Sequence, residues 1–515
     1  MKTLKRIAVC MAFSMTALIL LAAPAGASSG LPGSGWWTGI TIQNVGTATA
    51  TVDVTAYDSA SSSTYTYSPS VGAGASTTVL PTNFPGMPSG FNGSAIVSAA
   101  EPIRSIINVT NRYLSAQGLG DPAATYPAAG QYQGVLSSDT TISFPLAKNN
   151  HYNKTTTFYI QNVGSGAATA TATFIFPSGT YTYTTPSIGA GQQVAVVPAD
   201  SRDVGLNPPP SGNGVVGSLT VTSTQQLAGV VLEHKTTENP ATLVQATRAF
   251  TPTEYNTTVF APNNKNSYYG RFTGMQIQNV SGGLINVNVT YTALFNASTG
   301  CPGGTFTDGT TNLAVKASFT FPSSVLPSGC VASAVIVGTG NIVGQVNESF
   351  TSAYLAANPS RMQESTIYST FASPLATGKV SIPVFKEDSY NKSTGVTIQN
   401  VGAGATNVVI VFAGPAGTFT SQPQAIPLGG SIIVMDARKK SADFWNGTQM
   451  TPAALGCTGV GLEDGNICGA NGTMALIVTS PDQPIVAIAN ESTYPNLAPR
   501  MNQDKNNYEG FNLTP

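Results

Sequence analysis

Apolar and polar residues alternate along most of this chain, in short runs cut by glycine, proline and serine. Stretches such as 48–54 and 167–174 are Thr/Ala/Val runs of period two, the spacing that sends successive side chains to opposite faces of a strand. Pro, Gly, Thr or Ser interrupts almost every window of a dozen residues, so no stretch predicts a helix. The predicted class is all-β.

The runs repeat. Ile42-Gln43-Asn44-Val45-Gly46 returns as Ile160-Gln161-Asn162-Val163-Gly164, as Ile277-Gln278-Asn279-Val280-Ser281 and as Ile398-Gln399-Asn400-Val401-Gly402, with the glutamines 118, 117 and 121 residues apart. That period suits one small β-sandwich and is far longer than a solenoid or propeller repeat. Tyr65-Thr66-Tyr67 and Tyr181-Thr182-Tyr183 follow in their copies, with Phe319-Thr320-Phe321 read as the third version. A glycine turn comes next at 71–74, 188–191 and 428–430, where glycine supplies positive φ without steric cost. Each copy closes with an apolar pair of strands, at 94–109, 218–232, 333–346 and 474–489. These landmarks divide the chain into a signal at 1–27 and repeats at 28–138, 139–252, 253–376 and 377–515. The expected architecture is four tandem Ig-like β-sandwiches in an elongated array, joined at proline-bearing segments near 121–127, 250–253 and 371–374.

A proline-bearing apolar segment precedes the motif in the last three copies: Phe144-Pro145, Ala261-Pro262 and Ile382-Pro383, each proline 16 residues before the motif glutamine. In the first copy Pro32 stands only 11 before Gln43, within a glycine-rich stretch, so repeat 1 is expected to lack an edge strand. At the other end Tyr508-Glu509-Gly510-Phe511 is similar to Tyr132-Gln133-Gly134-Val135 and Tyr368-Ser369-Thr370-Phe371, which lead into following repeats. The tail at 506–515, with Tyr508, Phe511 and Leu513, is therefore a candidate donor strand for the open edge of another copy, giving head-to-tail fibres.

Composition narrows the class. Charged residues are 9% of the chain, against ~25% in an average soluble protein, and the net charge is −1, so nothing supplies the basic footprint of a nucleic-acid binder. Lys2, Lys5 and Arg6, an apolar run at 7–23 and Ala25-Gly26-Ala27 read as a secretory signal, and no later stretch is apolar for the ~20 residues a membrane span needs. Four cysteines follow it, expected as disulfides Cys301 with Cys330 and Cys457 with Cys468 in an oxidising compartment.

The motif, the glycine turn and stretches such as Gly90-Phe91-Asn92-Gly93-Ser94 through Glu101-Pro102-Ile103 together resemble secreted tandem-repeat proteins of bacterial cell surfaces. The resemblance implies an extracellular location and a repeat architecture, and brings no catalytic residues.

Candidate chemistry is sparse. The two histidines, His151 in a polar turn and His234 at a strand end, have serines at the matching places in later copies and read as structural. Glu463 and Asp464 occur in one copy only. Neither cysteine pair has zinc-site spacing, and no cofactor is expected. Trp36 and Trp37, just before the first motif, are the candidate for stacking on a sugar. The reading is a non-enzymatic, secreted fibre, sheath or layer protein, with an adhesin or carbohydrate-binding surface protein as the alternative. Its expected partners are other copies of itself, or cell-surface polymers and glycans.

Overall fold

The computed structural model describes residues 31, 36–111, 129–198, 214–235, 243–358, 365–386, 392–414, 417–434, 473–493 and 506–513. Antiparallel strands dominate; among the described residues one short α-helix, Ser352–Ala357, departs from the strand-only expectation, started by Thr351, whose hydroxyl accepts from the Tyr354 amide at 3.2 Å.

Each copy of the motif ends a strand: Trp36–Asn44, Lys154–Asn162, Arg271–Asn279 and Lys392–Asn400. On one side this motif strand pairs with a short strand, Ser76–Val79, Gln193–Val196, Ser318–Pro322 or Ser431–Val434. On the other it pairs with the second half of the closing strands. The opposite layer is built on Ala50–Asp58, Ala170–Phe176, Ile285–Asn296 and Thr406–Gly414, which pair with the first half of the same closing strands. In repeats 2 and 3 the closing segment is one unbroken strand, Val215–Lys235 or Cys330–Phe350, that runs through both layers. In repeats 1 and 4 Glu101-Pro102 and Gln483-Pro484 interrupt it, because proline offers no ladder donor, and the layers separate into distinct sheets.

Alternation sends one face of each layer inward. Phe158 and Ile160 of the motif strand meet Ala172 and Phe174 across the core of repeat 2, and Val396 and Ile398 meet Val408 and Ile410 in repeat 4, all without solvent exposure. One landmark was assigned to the wrong strand. Phe319-Thr320-Phe321 pairs with the motif strand, Ile277 opposite Phe319, and so corresponds to Gln193–Val196. The true third counterpart of the tyrosine strand is Cys301–Leu313, where Phe306 faces Tyr291 as Tyr181 faces Phe174.

The motif's asparagine explains why the pentapeptide recurs. Asn162 is fully buried; its amide donates to the carbonyls of Gly166 (2.7 Å) and Ile188 (2.9 Å), and its carbonyl accepts from Gly164 N (3.0 Å). Asn44, Asn279 and Asn400 repeat this pattern, tying the turn after the motif to the far layer. The glycine after it is sterically required: a Cβ at Gly46, Gly164 or Gly402 would lie 2.1–2.2 Å from the side chain of Glu101, Gln225 or Gln483. Repeat 3 inverts the pair, with Ser281 in the glycine's place and Gly340 opposite it, where a Cβ would meet Ser281 Oγ at 2.8 Å. Replacing Asn162 by alanine should remove three hydrogen bonds of a fully buried side chain and cost about 1–3 kcal/mol, read as a lower urea midpoint at unchanged slope.

After the closing strands the chain returns as a short strand, Ala129–Gln133, Val244–Arg248, Ser365–Ser369 or Asn506–Glu509, antiparallel to the closing strand of its own repeat. These four axial strands touch one another in cyclic order. Gly130 lies against Val244 and Ala246, and Thr247 Oγ1 meets Ser369 Oγ at 2.7 Å. Glu509 accepts from the Ser369 amide through its carboxylate, and from Gln133 Nε2 through its backbone carbonyl at 2.5 Å. That last bond joins residues 376 apart in the chain. The motif glutamines add a second set of ties to the preceding repeat: Gln278 donates to Thr220, Gln399 to the carbonyl of Ala334, and Gln43 meets Ser381 of repeat 4.

The elongated array is thus corrected to a closed ring. The physical reason lies in the axial strands, which carry only two charged residues, Arg248 and Glu509, and bury residues on both faces. Strands apolar or amide-bearing on both sides need cover on both sides, and only neighbouring repeats supply it.

Candidate functional site

Ion triads sit at the same place in repeats 2 and 3. Glu233, 2% exposed, receives Lys148 Nζ at 2.6 Å and Lys154 Nζ at 3.1 Å. Glu348 receives Lys265 Nζ at 2.7 Å and Arg271 at 3.2 Å; in repeat 4 Glu491 receives Lys386 Nζ at 2.6 Å. The lysine comes from the proline-bearing strand, Asp139–Asn149, Asn256–Asn266 or Lys379–Lys386. Its backbone amide is held by the hydroxyl of Thr156, Thr273 or Thr394 at 2.8–3.0 Å. Glu233 also accepts from Asn347 of repeat 3 at 3.2 Å, so the triad stands at a junction of the ring.

Burial alone would raise the Glu233 carboxyl, but the two ammonium groups and their hydrogen bonds outweigh it and hold it at about 2. A carboxyl lowered in this way stabilises the fold above its unfolded value of ~4.3, and the contribution drains as pH falls from there towards 2. His234 acts in the same direction at higher pH: burial lowers its basicity, so protonation favours the unfolded chain below ~6.5. Thermal midpoints should therefore fall in two stages on acidification, and a Glu233→Gln chain should show a flattened lower stage.

The residues singled out from sequence fall in different places. Cys301 and Cys330 form a disulfide with Cα atoms 4.8 Å apart, linking the ends of two strands of repeat 3. Cys457 and Cys468 lie outside the described residues, as do Glu463 and Asp464 and the 1–27 signal. His151 Nδ1 lies 2.9 Å from the carbonyl of Gly214, and its ring packs on Tyr152; His234 Nε2 lies 3.1 Å from Thr157 Oγ1. Neither meets a serine nucleophile in these contacts.

Trp36 and Trp37 are both half-buried. Trp36 packs against a cluster that includes Leu31, Ile107, Val109, Leu232 and Val244 at the junction of repeats 1 and 2, which makes it part of an apolar seam. By register it occupies the place of Lys154 and Arg271, and Val109 occupies that of Glu233 and Glu348. Repeat 1 has thus exchanged the triad for an apolar contact.

The candidate donor tail is corrected as well. Tyr508 and Phe511 are 1% and 3% exposed within the core of repeat 4, and Leu513 packs against it. Asn506–Glu509 completes one sheet, and Phe511–Asn512 pairs with Val380 and Ser381 on the proline-bearing strand of the same repeat. The same closure occurs as Phe371–Ala372 on Val259 and Phe260, and as Phe250 opposite Ser143. Of the segments read as linkers, 250–253 and 371–374 thus begin with residues that pair within their own repeats, and 121–127 lies outside the described residues.

Among the described residues one edge has no partner strand. In repeats 2–4 the first half of the closing strand pairs with the proline-bearing strand. In repeat 1 its counterpart, Gly93–Ala99, pairs only with Ala50–Asp58 among the described residues. Val97 is accordingly half-buried, where its counterparts Val221, Ile336 and Val478 are fully buried. Leu136, on the returning chain, is 60% exposed. The edge without a partner among the described residues is a slot, and the sequence marks it by the shortened proline-to-glutamine spacing alone.

No family model matches this chain, and no curated protein matches it. Among solved structures, one described as the crystal structure of a tetra-tandem repeat in the extending region of a large adhesion protein is matched over 94% of this chain and 96% of its own. The identity is 12% and the TM-score 0.10, an overlap that carries no argument about function.

Proposed function

We propose that this is a secreted structural protein of the cell surface, a layer or sheath unit built from four Ig-like β-sandwich repeats. The observation that carries the reading is the closed ring: axial strands, motif glutamines and Glu233 are all spent on holding four repeats together. A closed ring of four repeats suits use as a repeated building block. The disulfide between Cys301 and Cys330 supports an oxidising, extracytoplasmic location. Partners on this reading are neighbouring copies, cell-surface polymers or glycans, and no reaction is assigned.

The test is fractionation of producing cells, followed by binding of the purified protein to isolated envelopes. Recovery outside the cell with Cys301 and Cys330 oxidised, together with saturable envelope binding, is the expected result. A cytoplasmic protein with both thiols reduced, or one indifferent to envelopes, would overturn the reading.

A further inference from the structure

We propose that the slot in repeat 1 is a receptor for an extended strand donated by another protein, and that the three proline-bearing strands of this chain define the sequence it takes. The proposal stands on the sheet edge alone and does not depend on the surface role above.

The slot has the walls of the filled ones. In every repeat the returning chain is anchored to the closing strand by an equivalent backbone bond: Gly134 N to Ser105 O (2.8 Å), Ala249 N to Gly229 O (2.8 Å), Thr370 N to Gly344 O (2.8 Å) and Gly510 N to Ala487 O (2.7 Å). Beyond that bond the later repeats grip a proline-bearing strand from both sides; in repeat 1 the Gly93–Ala99 edge has no such strand among the described residues. One side group is also in place. Tyr368 and Tyr508 accept from the backbone N–H and donate to the C=O of the residue after the proline, Asn263 and Val384. Proline breaks the ladder there, and the phenol repairs it. Tyr132 occupies the same register position in repeat 1, and its hydroxyl makes no hydrogen bond among the described residues.

The chain's own preceding segment does not match the slot. At the constant spacing, the inward positions filled by Ile142 and Phe144, Val259 and Ala261, or Val380 and Ile382 fall on Pro24 and Gly26, and the proline position falls on Ala27. Glycine and proline at inward strand positions neither fill a core nor hold a ladder. These residues also belong to the segment read as the signal.

The chemistry of the donor follows. It alternates two apolar residues and then places a proline, as Val380-Ser381-Ile382-Pro383 does. Three residues after the proline the internal donors carry Lys148, Lys265 and Lys386, each paired to a glutamate. Val109 stands in the glutamate's place in repeat 1, so an incoming lysine would be buried without a partner. The fitting strand carries an apolar residue there. Backbone pairing along an open edge then supplies affinity, and the inward side chains supply selection.

The test uses the chain starting at Ser28 and a synthetic peptide of the 379–386 sequence carrying Lys386→Leu. Saturable binding is expected, weakened at least tenfold by Ile382→Asp in the peptide and severalfold by restoring the lysine. The register of Lys379 opposite Thr479 transfers to Ser98, an exposed position on the open edge. A Ser98→Cys chain should therefore form a disulfide with a peptide carrying Lys379→Cys, while Thr66→Cys on the opposite edge should not. Absence of the Ser98 cross-link, equal reaction at Thr66→Cys, or equal binding of the Ile382→Asp peptide would overturn the proposal. So would a concentration-dependent dimer of the chain alone that excludes the peptide, since that would make a second copy the occupant.

Discussion

Truncation after residue 505 is expected to unfold repeat 4 and open the ring. The removed segment contributes two strands, one in each layer, and two aromatic side chains that are 1% and 3% exposed. Large-to-small changes at such positions cost about 3–5 kcal/mol each, and domains of this size are stable by only about 5–15 kcal/mol. Glu509 goes too, and with it the contacts to Ser369 and Gln133. The measurement is limited proteolysis across 377–493 together with the hydrodynamic radius, which should grow as repeat 1 loses its neighbour. A milder change separates the tail's packing from its hydrogen bonding: Tyr508→Phe keeps the ring but loses both bonds to Val384, for about 1–3 kcal/mol. A truncated chain that kept the full-length denaturation midpoint would show that the tail is not part of the core.

Glu233→Gln is the substitution with the next largest expected effect. It leaves Lys148 and Lys154, whose side chains are 10% and 11% exposed, as two buried cations with no anion between them. Breaking a buried ion pair from one side costs about 3–5 kcal/mol, mostly as the penalty of the abandoned charge. Replacing all three members by Glu233→Leu, Lys148→Met and Lys154→Leu should recover most of that loss, because the desolvation cost disappears with the charges. Repeat 1 already carries such a version, with Val109 and Trp36 in the corresponding places. Chemical denaturation of the single and triple variants decides it. If the triple variant is as unstable as the single one, the triad holds the junction by something other than its charge balance.

The local pattern was legible and the long-range one was not. Alternation and the four motifs located the strands, because a two-residue period and a recurring Asn-Val-Gly are properties of short segments. The shortened proline spacing before the first motif is likewise a local signal, and it agrees with the edge of repeat 1 that has no partner among the described residues. Phe319-Thr320-Phe321 went astray because two strands of similar spacing lie close in sequence and only pairing distinguishes them. The lysines do carry a sequence signal: Lys148, Lys265 and Lys386 each stand 13 residues before the motif glutamine, in a chain with only 22 lysines and arginines. The ring left no such trace. Its closure depends on residues hundreds of positions apart, and its axial strands read as linkers because their apolar and amide residues gain cover only from other repeats.

The seam between repeats 4 and 1 differs from the other three in one respect: no peptide crosses it. Tension applied between the two chain ends would load that seam in series with nothing covalent beside it. It should part first, at low force, and turn a compact ring into a tether several times longer while the individual sandwiches remain folded. A molecule stretched at a surface would thus have a reversible extension built into its closure, visible in single-molecule pulling as one early step before any repeat unfolds.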